Sequence, residues 1–502
     1  MDIFPFDVSI LLTWSNLFAL VIGTMVGMLI GAIPGMGATL AVVLLLPLTY
    51  LMDPLASILL LLATYQACEY GGSISAVVLG VPGTPAALVT ALDGHAMAKQ
   101  NSPGKALAYS LYSSFIGGLF GAFMVIFLSS FLVKLALLIS EPEYFWIGLL
   151  GLLAVSALSS ENFMKSLISA VLGLMAATIG MDDFTGGPRF TLGYIELLEG
   201  LGLIALLVGM FAFTELFFMV NNDLKKKYVT DSSGLKTKLT FREIRSVMKP
   251  IGIGSVTGAF VGIFPGMGAG PAAWFSYSLA QVWSKTKSTF GKGNPEGIAA
   301  PEAANNAAVG GALIPLLSLG IPGSPTIAII SGAFIIHGLQ PGPTLFKTQA
   351  DLVYGVIYGF LFTTIFMFVI GRYVTSLFSR AMTVSNPILV PIVFALSIIG
   401  VFLTRSLHFD LCLALLIGVV SYLFIKLKYS IAAFILAYVL GPIIEESFRR
   451  SLIISAGNYD IFYTRPFSIA LICIIVAIIS WVIIKRLRNQ KKVQVDTKNP
   501  SL

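Results

Sequence analysis

Apolar residues gather in this chain into long runs, each ended by a short polar or Pro-Gly stretch. They cover positions 17–33, 55–67, 106–132, 144–158, 167–179 and 198–220 and, after a polar loop, 251–264, 272–282, 299–319, 353–370, 387–403, 411–425, 431–439 and 467–484. A membrane-spanning helix needs roughly 20 apolar residues, so the longer runs predict full spans and the shorter ones half-helices or re-entrant hairpins. The expected fold is an all-α polytopic membrane protein with roughly ten to fourteen membrane segments by that length rule.

One pattern inside these runs occurs twice. GAIPGMGAT (Gly31 to Thr39) is followed by LGVPGTPAA (Leu79 to Ala87), and GIFPGMGAG (Gly262 to Gly270) by LGIPGSPTI (Leu319 to Ile327). Pro34 and Pro265 lie 231 positions apart, Pro82 and Pro322 lie 240 apart, and the nine extra residues fall in the polar stretch 284–295. Proline lacks the amide donor and glycine weakens a helix, so each signature predicts a helix break inside the bilayer. Non-helical backbone at that depth persists only where protein buries it or it lines a cavity. Broken helices at matching points of two halves mark the substrate site of a secondary transporter. The chain therefore divides into two internal repeats, 1–235 and 236–484, and a basic tail, 485–502.

Composition narrows the class further. The chain is 57% hydrophobic and 11% charged, against about 25% charged in a soluble domain. The first 98 residues hold no Lys or Arg, so the N-terminus lacks the positive region of a secretory signal peptide. Fourteen of the 31 basic residues lie between Lys225 and Lys249 or between Lys485 and Lys498. The positive-inside rule places both stretches in the cytoplasm and the N-terminus outside. Topology explains this charge more simply than binding to nucleic acid or anionic lipid. The lead-in to the first repeat has no positive charge, whereas that to the second is strongly basic; after the second signature the bias swaps, with Lys99 and Lys105 in the first repeat against His337 alone before Lys347. Equivalent loops on opposite sides of the membrane mean inverted repeats, with a parallel repeat as the alternative. Cys68, Cys412 and Cys473 sit in apolar runs and show no disulfide or metal-site spacing.

Polar residues buried in hydrocarbon are costly and mark ion or substrate paths. PEAANNAAVGGA (Pro301 to Ala312) places Glu302 and Asn306 four apart on one helix face with Asn305 beside them. The other reading of the asparagines is interhelical hydrogen bonding, and Glu302 has the alternative of a place at the membrane interface, after Pro301 and the polar stretch before it. YQACEYGGSIS (Tyr65 to Ser75) is the matching stretch of the first repeat; it aligns Gln66 with Asn306 and adds Glu69, a proton or sodium site or a charge paired at a helix end. Half-helix N-termini offer free amides to carboxylates, and unwound carbonyls suit a coupling ion. Candidate substrate contacts are thus Gly35, Met36, Gly37, Gly83 and Thr84, their counterparts Gly266, Met267, Gly268, Gly323 and Ser324, and Asn305 and Asn306. Candidates for the coupling ion, sodium or a proton, are Gln66, Glu69 and Glu302, with Asn305 and Asn306 nearby. Thr84 and Ser324 equally suit helix caps. Arg189 and Arg465 read as loop anchors, and Glu445, Glu446, Arg449 and Arg450 as a solvated helix end. No metal site, HExxH motif or GxxxxGK[ST] phosphate loop occurs, which argues against a membrane-embedded enzyme and an ATP-driven pump; a carboxylate channel remains the other alternative.

The PGMG, PGTP and PGSP signatures, PEAANNAAVGGALIP, GGPRFTLG and RRSLIISAGN followed by TRP together resemble the large membrane subunit of tripartite tricarboxylate transporters, over about 27–467. The resemblance implies a small membrane subunit and an extracytoplasmic solute-binding protein as partners. It also implies a di- or tricarboxylate substrate such as citrate, uptake driven by an ion gradient, no organic cofactor, and a place in the bacterial cytoplasmic membrane. Gly457-Asn458 stands where that family commonly has Gly-Asp, which leaves the identity of the carboxylate open.

Overall fold

The computed structural model describes residues 7–100, 102–136, 139–158, 163–221, 239–381, 386–405 and 407–480. The basic segment 225–238 and the tail 485–502 lie outside the described residues. The fold is all-α and polytopic. Seven helices among the described residues are long and apolar enough to cross a membrane, and shorter apolar helices accompany them.

In chain order, α1 (Trp14–Ala32) stops at the first Pro-Gly signature and α2 (Gly37–Leu45) leaves it. A 3-10 turn (Leu46–Leu51) leads into α3 (Pro54–Leu79), which ends on Gly80 in the left-handed conformation. Then follow α4 (Ala87–Lys99), α5 (Pro103–Ala136), α6 (Glu141–Leu158) and α7 (Phe163–Ala177). A two-stranded hairpin, β1 (Gly180–Met181) with β2 (Pro188–Arg189), precedes α8 (Leu203–Leu207), which runs through a π-helical turn into α9 (Thr214–Asn221). After α10 (Phe241–Ser246) the first pattern returns: α11 (Met248–Ile263), a break, α12 (Ala269–Trp283), α13 (Pro295–Leu319), a break on left-handed Gly320, and α14 (Pro325–Ile336). The chain continues through α15 (Pro343–Thr348), α16 (Ala350–Ala381), α17 (Asn386–Arg405), α18 (His408–Lys426) and α19 (Ile431–Ile454) to a last apolar helix, Pro466–Ser480. The half-helices α2, α4 and α14 fall outside the apolar runs expected to cross the membrane, because each is short and starts beside proline.

Small residues set the packing. Gly23, Gly27 and Gly31 of α1 lie on Leu60, Thr64 and Cys68 of α3, so the two helices run parallel. Gly254, Gly258 and Gly262 of α11 meet Ala300, Ala304 and Ala308 of α13 at the same spacing. Glycine at every fourth position lets membrane helices approach to backbone contact. Likewise Gly355 and Gly359 set α16 alongside α3, and Gly117 and Gly121 set α5 alongside α13. α3 and α13 themselves run antiparallel, since Gln66 meets Asn306 while Ser73 meets Glu302. Both are sheathed on all sides: every residue from Ala56 to Val77 and from Gly297 to Ser318 is buried. Polar side chains on these two helices therefore face protein, not lipid. By contrast α17 and α18 present apolar side chains such as Ile392, Ile399, Leu416 and Leu423 outward, as lipid-facing helices do.

Polar contacts tie the periphery together. Asp93 of α4 accepts from the Gly293 and Asn294 amides at 2.9 and 2.7 Å and from Tyr277 at 2.9 Å, which seats the longer α12–α13 connection. Arg465 anchors as expected, donating to buried Glu143 at 2.7 Å. Arg189 donates to Glu445 at 2.6 Å, and Arg449 pairs with Asp182 at 2.8 Å. Glu445 and Arg449 thus do more than solvate a helix end; they fasten α19 to the β-hairpin.

Candidate transport site

The four breaks meet at one cavity of about 560 Å³. Gly37, Thr84 to Ala86, Gly268 to Gly270 and Ser324 to Thr326 line it, so the N-termini of α2, α4, α12 and α14 all end there. Backbone bonds lock each pair of breaks. The Gly35 amide donates to the Pro82 carbonyl at 3.2 Å, Gly37 to Gly83 at 3.0 Å, and Gly83 to Gly72 at 3.2 Å. In the second half Gly266 donates to Gly323 at 2.9 Å and Gly323 to Ala312 at 3.2 Å. Two positions show why glycine is required. A Cβ on Gly83 would lie 1.8 Å from the Gly31 carbonyl oxygen, and Gly37 holds φ at +67°, a backbone region that other residues avoid.

Hydroxyl groups line the same space. Ser324 caps α14 by accepting from the Ile327 amide at 3.2 Å, and its Oγ lies 3.4 Å from the Tyr65 hydroxyl. Thr39 and Thr326 share a hydrogen bond of 3.0 Å that bridges the two halves. Thr84 Oγ1 accepts from the Ala87 amide at 3.4 Å and neighbours the Glu69 carboxyl. Glu69 lines the cavity, is 4% exposed, and leaves its Oε2 without a hydrogen-bond partner. Neither Lys nor Arg is among the residues that line the cavity.

Of the sequence candidates, Gly35, Gly37, Gly83, Thr84, Gly266, Met267, Gly268, Ser324 and Glu69 are brought together here. Gly323 contributes the carbonyl that holds Gly266, and Met36 is packed inside rather than lining the cavity. Gln66, Asn305 and Asn306 sit instead at the crossing of α3 and α13, fully buried. Asn306 Nδ2 donates to the Gln66 carbonyl at 3.0 Å, and Gln66 Nε2 to Thr364 at 3.1 Å. Gln66 Oε1, Asn306 Oδ1 and both polar atoms of Asn305 have no partner. Glu302 is not at an interface: it is fully buried, and its carboxylate accepts from Ser110 and Ser114 at 2.9 Å each and from Ser73 and Thr90. Tyr65, Thr39, Thr326 and Ala432 also line the cavity. Tyr65 stands one helical turn before Glu69 on the same face, a spacing that identifies it from sequence; nothing local marks Ala432, which α19 delivers from far along the chain.

Residues 17–436 match the tripartite tricarboxylate transporter TctA family. The chain belongs to that family. An uncharacterized 52.8 kDa protein in the TAR-I ttuC' 3' region of Agrobacterium vitis is 33% identical over 480 residues, covering 96% of this chain and 95% of the relative. An uncharacterized protein in the TAR-II ttuC' 3' region of the same organism is 35% identical over 234 residues, covering 46% of this chain and 97% of that protein. No solved structure matches the chain. As a TctA-family protein it is the multi-pass membrane component of a tricarboxylate transporter, in a family whose tripartite organisation implies partner subunits. The geometry suits such a cargo. Helix N-termini present unpaired amides and partial positive charge to anions, and four of them surround a space with hydroxyls at its wall.

Proposed function

We propose that this TctA-family chain is the permease subunit of a secondary transporter that imports di- or tricarboxylates such as citrate. A sodium or proton gradient across the bacterial cytoplasmic membrane drives uptake, an extracytoplasmic solute-binding protein delivers the substrate, and a small membrane subunit completes the complex. The observation that carries the reading is the convergence of four half-helix N-termini on one cavity. In this reading substrate carboxylates bind at the breaks Gly35 to Gly37, Gly83 and Thr84, Gly266 to Gly268, and Gly323 and Ser324. There they meet the Thr84 and Ser324 hydroxyls and the positive ends of the half-helices, since the Gly35, Gly37, Gly83, Gly266 and Gly323 amides hold the breaks together. Asn305 and Asn306 line the substrate's path at the α3–α13 crossing. The two halves, 1–235 and 236–484, are inverted repeats that rock about the site, a reading supported by the antiparallel run of α3 and α13. The N-terminus lies outside and the C-terminus in the cytoplasm.

Uptake of labelled citrate and related carboxylates into proteoliposomes tests this. The vesicles hold the chain and its small partner, with the binding protein outside, and sodium and proton gradients are imposed separately. Accumulation that requires both the binding protein and one gradient is expected. Downhill flux that ignores gradient and binding protein makes the chain a channel, and no carboxylate flux at all removes the substrate class.

A further inference from the structure

Glu69 and Glu302, two of the buried carboxyl groups, differ in one respect that separates their roles. Both oxygens of Glu302 are occupied, each by two hydroxyl donors, from Ser73 and Thr90 on one side and Ser110 and Ser114 on the other. Glu302 is a fully hydrogen-bonded carboxyl group that joins α13 to α3, α4 and α5. Glu69 has Thr84 as its hydroxyl neighbour, an Oε2 with no partner, and a wall of the cavity as its position. It is also the acidic residue in a cavity whose other features favour anions and whose lining includes no Lys or Arg. A carboxylate substrate and an ionised Glu69 repel each other across that space, beside a carboxyl group that protein buries.

We infer that Glu69 is the site of the co-transported cation, a proton or a sodium ion, and that its charge makes cation and substrate binding mutually dependent. This deepens the transport reading above and rests on it. The cation cancels the negative charge that would expel the substrate, and the substrate's own carboxylate in turn favours the cation. Linkage requires the two effects to be equal in size. Coupling then needs no second metal cage: it follows from placing one acid inside an anion site. Among the described residues, the titratable neighbours of Glu69 are Tyr65 and Cys68 on α3 and Glu302 on α13, and none supplies positive charge. α1, α2 and α14 carry no ionisable side chain. On α4, Asp93 is held by Tyr277 and the Asn294 amide, and His95 Nδ1 lies 3.0 Å from the Val77 carbonyl. On α5, Lys105 pairs with Glu243, and on α16 Arg372 donates to Tyr112 of α5 at 2.9 Å.

The test uses the full chain in lipid nanodiscs as wild type, Glu69→Gln and Glu302→Gln. Infrared difference spectra are recorded across a pH titration without sodium, and on sodium addition at fixed pH. A carboxyl band in the first arm names the proton and in the second names sodium; the band that wild type and Glu302→Gln share and Glu69→Gln lacks is the Glu69 signal, above the background of the chain's other acids. Citrate is the substrate probe: saturating the cation raises its affinity about tenfold or more in wild type and leaves it unchanged in Glu69→Gln. Should Glu69→Gln fail to fold, Glu69→Asp keeps the charge but not the reach, and is expected to retain coupling with weakened cation affinity. Difference spectra of Glu69→Gln that match wild type, a coupling factor that survives Glu69→Gln, or cation affinity unchanged in Glu69→Asp overturns the inference. A cation signal that vanishes in Glu69→Gln while citrate fails to bind wild type upholds the cation site and overturns only the choice of substrate.

Discussion

Gly83 is fixed by contact, Gly35 by torsion, and the two should answer differently to a single methyl group. A Cβ at Gly83 runs into the Gly31 carbonyl at 1.8 Å, and a backbone oxygen cannot rotate away as a side chain would. Gly83→Ala should cost about 3 kcal/mol, the upper end of overpacking, and should release the amide bonds that hold α2 and α4 together. At Gly35 a Cβ meets nothing within 4 Å, and only φ of +83° opposes it, so Gly35→Ala should cost about 1 kcal/mol. Thermal melting of both variants in detergent checks this; equal melting temperatures would mean that contact is not what fixes Gly83. The Pro-Gly signatures were readable from sequence because their effect on the backbone is local. The bond from Gly35 to Pro82 was not, since it joins residues 47 positions apart, and the Glu302 cage was hidden because its four hydroxyls come from three other helices.

Among elements, the long apolar helices were legible from their runs, while the half-helices α2, α4 and α14 were hidden in the stretches that follow the Pro-Gly signatures, read there as breaks. The chain spends its most polar sequence on its most buried helices, α3 and α13, so hydropathy ranks them below the lipid-facing α17 and α18 even though they form the centre. The hairpin β1–β2 escaped a reading by pattern because its two-residue strands are held by charges rather than periodicity. The Arg449 guanidinium, with the Thr185 hydroxyl after it, holds the Asp182 carboxyl down to about 2, from an ordinary 3.8. A lowered carboxyl contributes stability that is fully present above its ordinary value and is lost as pH falls through the folded one. A spin label at position 188 should therefore stay immobilised above about pH 4 and gain mobility between about pH 4 and 2. Arg449→Gln should raise the label's mobility at neutral pH, the Arg189–Glu445 pair still restraining it. A label that stays immobile at low pH in both proteins would show that the hairpin is anchored by something other than this pair.

For the molecule as a whole, the decisive relation is between halves. α16 runs alongside α3 as α5 runs alongside α13, so in the proposed division into two repeats each half packs its central helix against a helix of the other. With α3 and α13 antiparallel, the exchange is the one that the proposed inverted repeats, related by a two-fold axis in the membrane plane, would give. Such an axis places the α4–α5 connection and the α14–α15 connection at opposite ends of the bundle. The first end gathers Lys99, Lys105 and the Lys285 to Lys292 stretch, with Gln100 donating to the Lys292 carbonyl and Lys105 paired to Glu243. At the other end His337 Nε2 lies 3.0 Å from Ser57 Oγ near the start of α3. Cysteines introduced at Ser102 and Gln340 should therefore react with a membrane-impermeant maleimide from opposite sides, Gln340 from outside intact cells and Ser102 only after the membrane is opened. Labelling of both from one side would break the inversion, and with it the account of how one set of four helix ends can face each side of the membrane in turn.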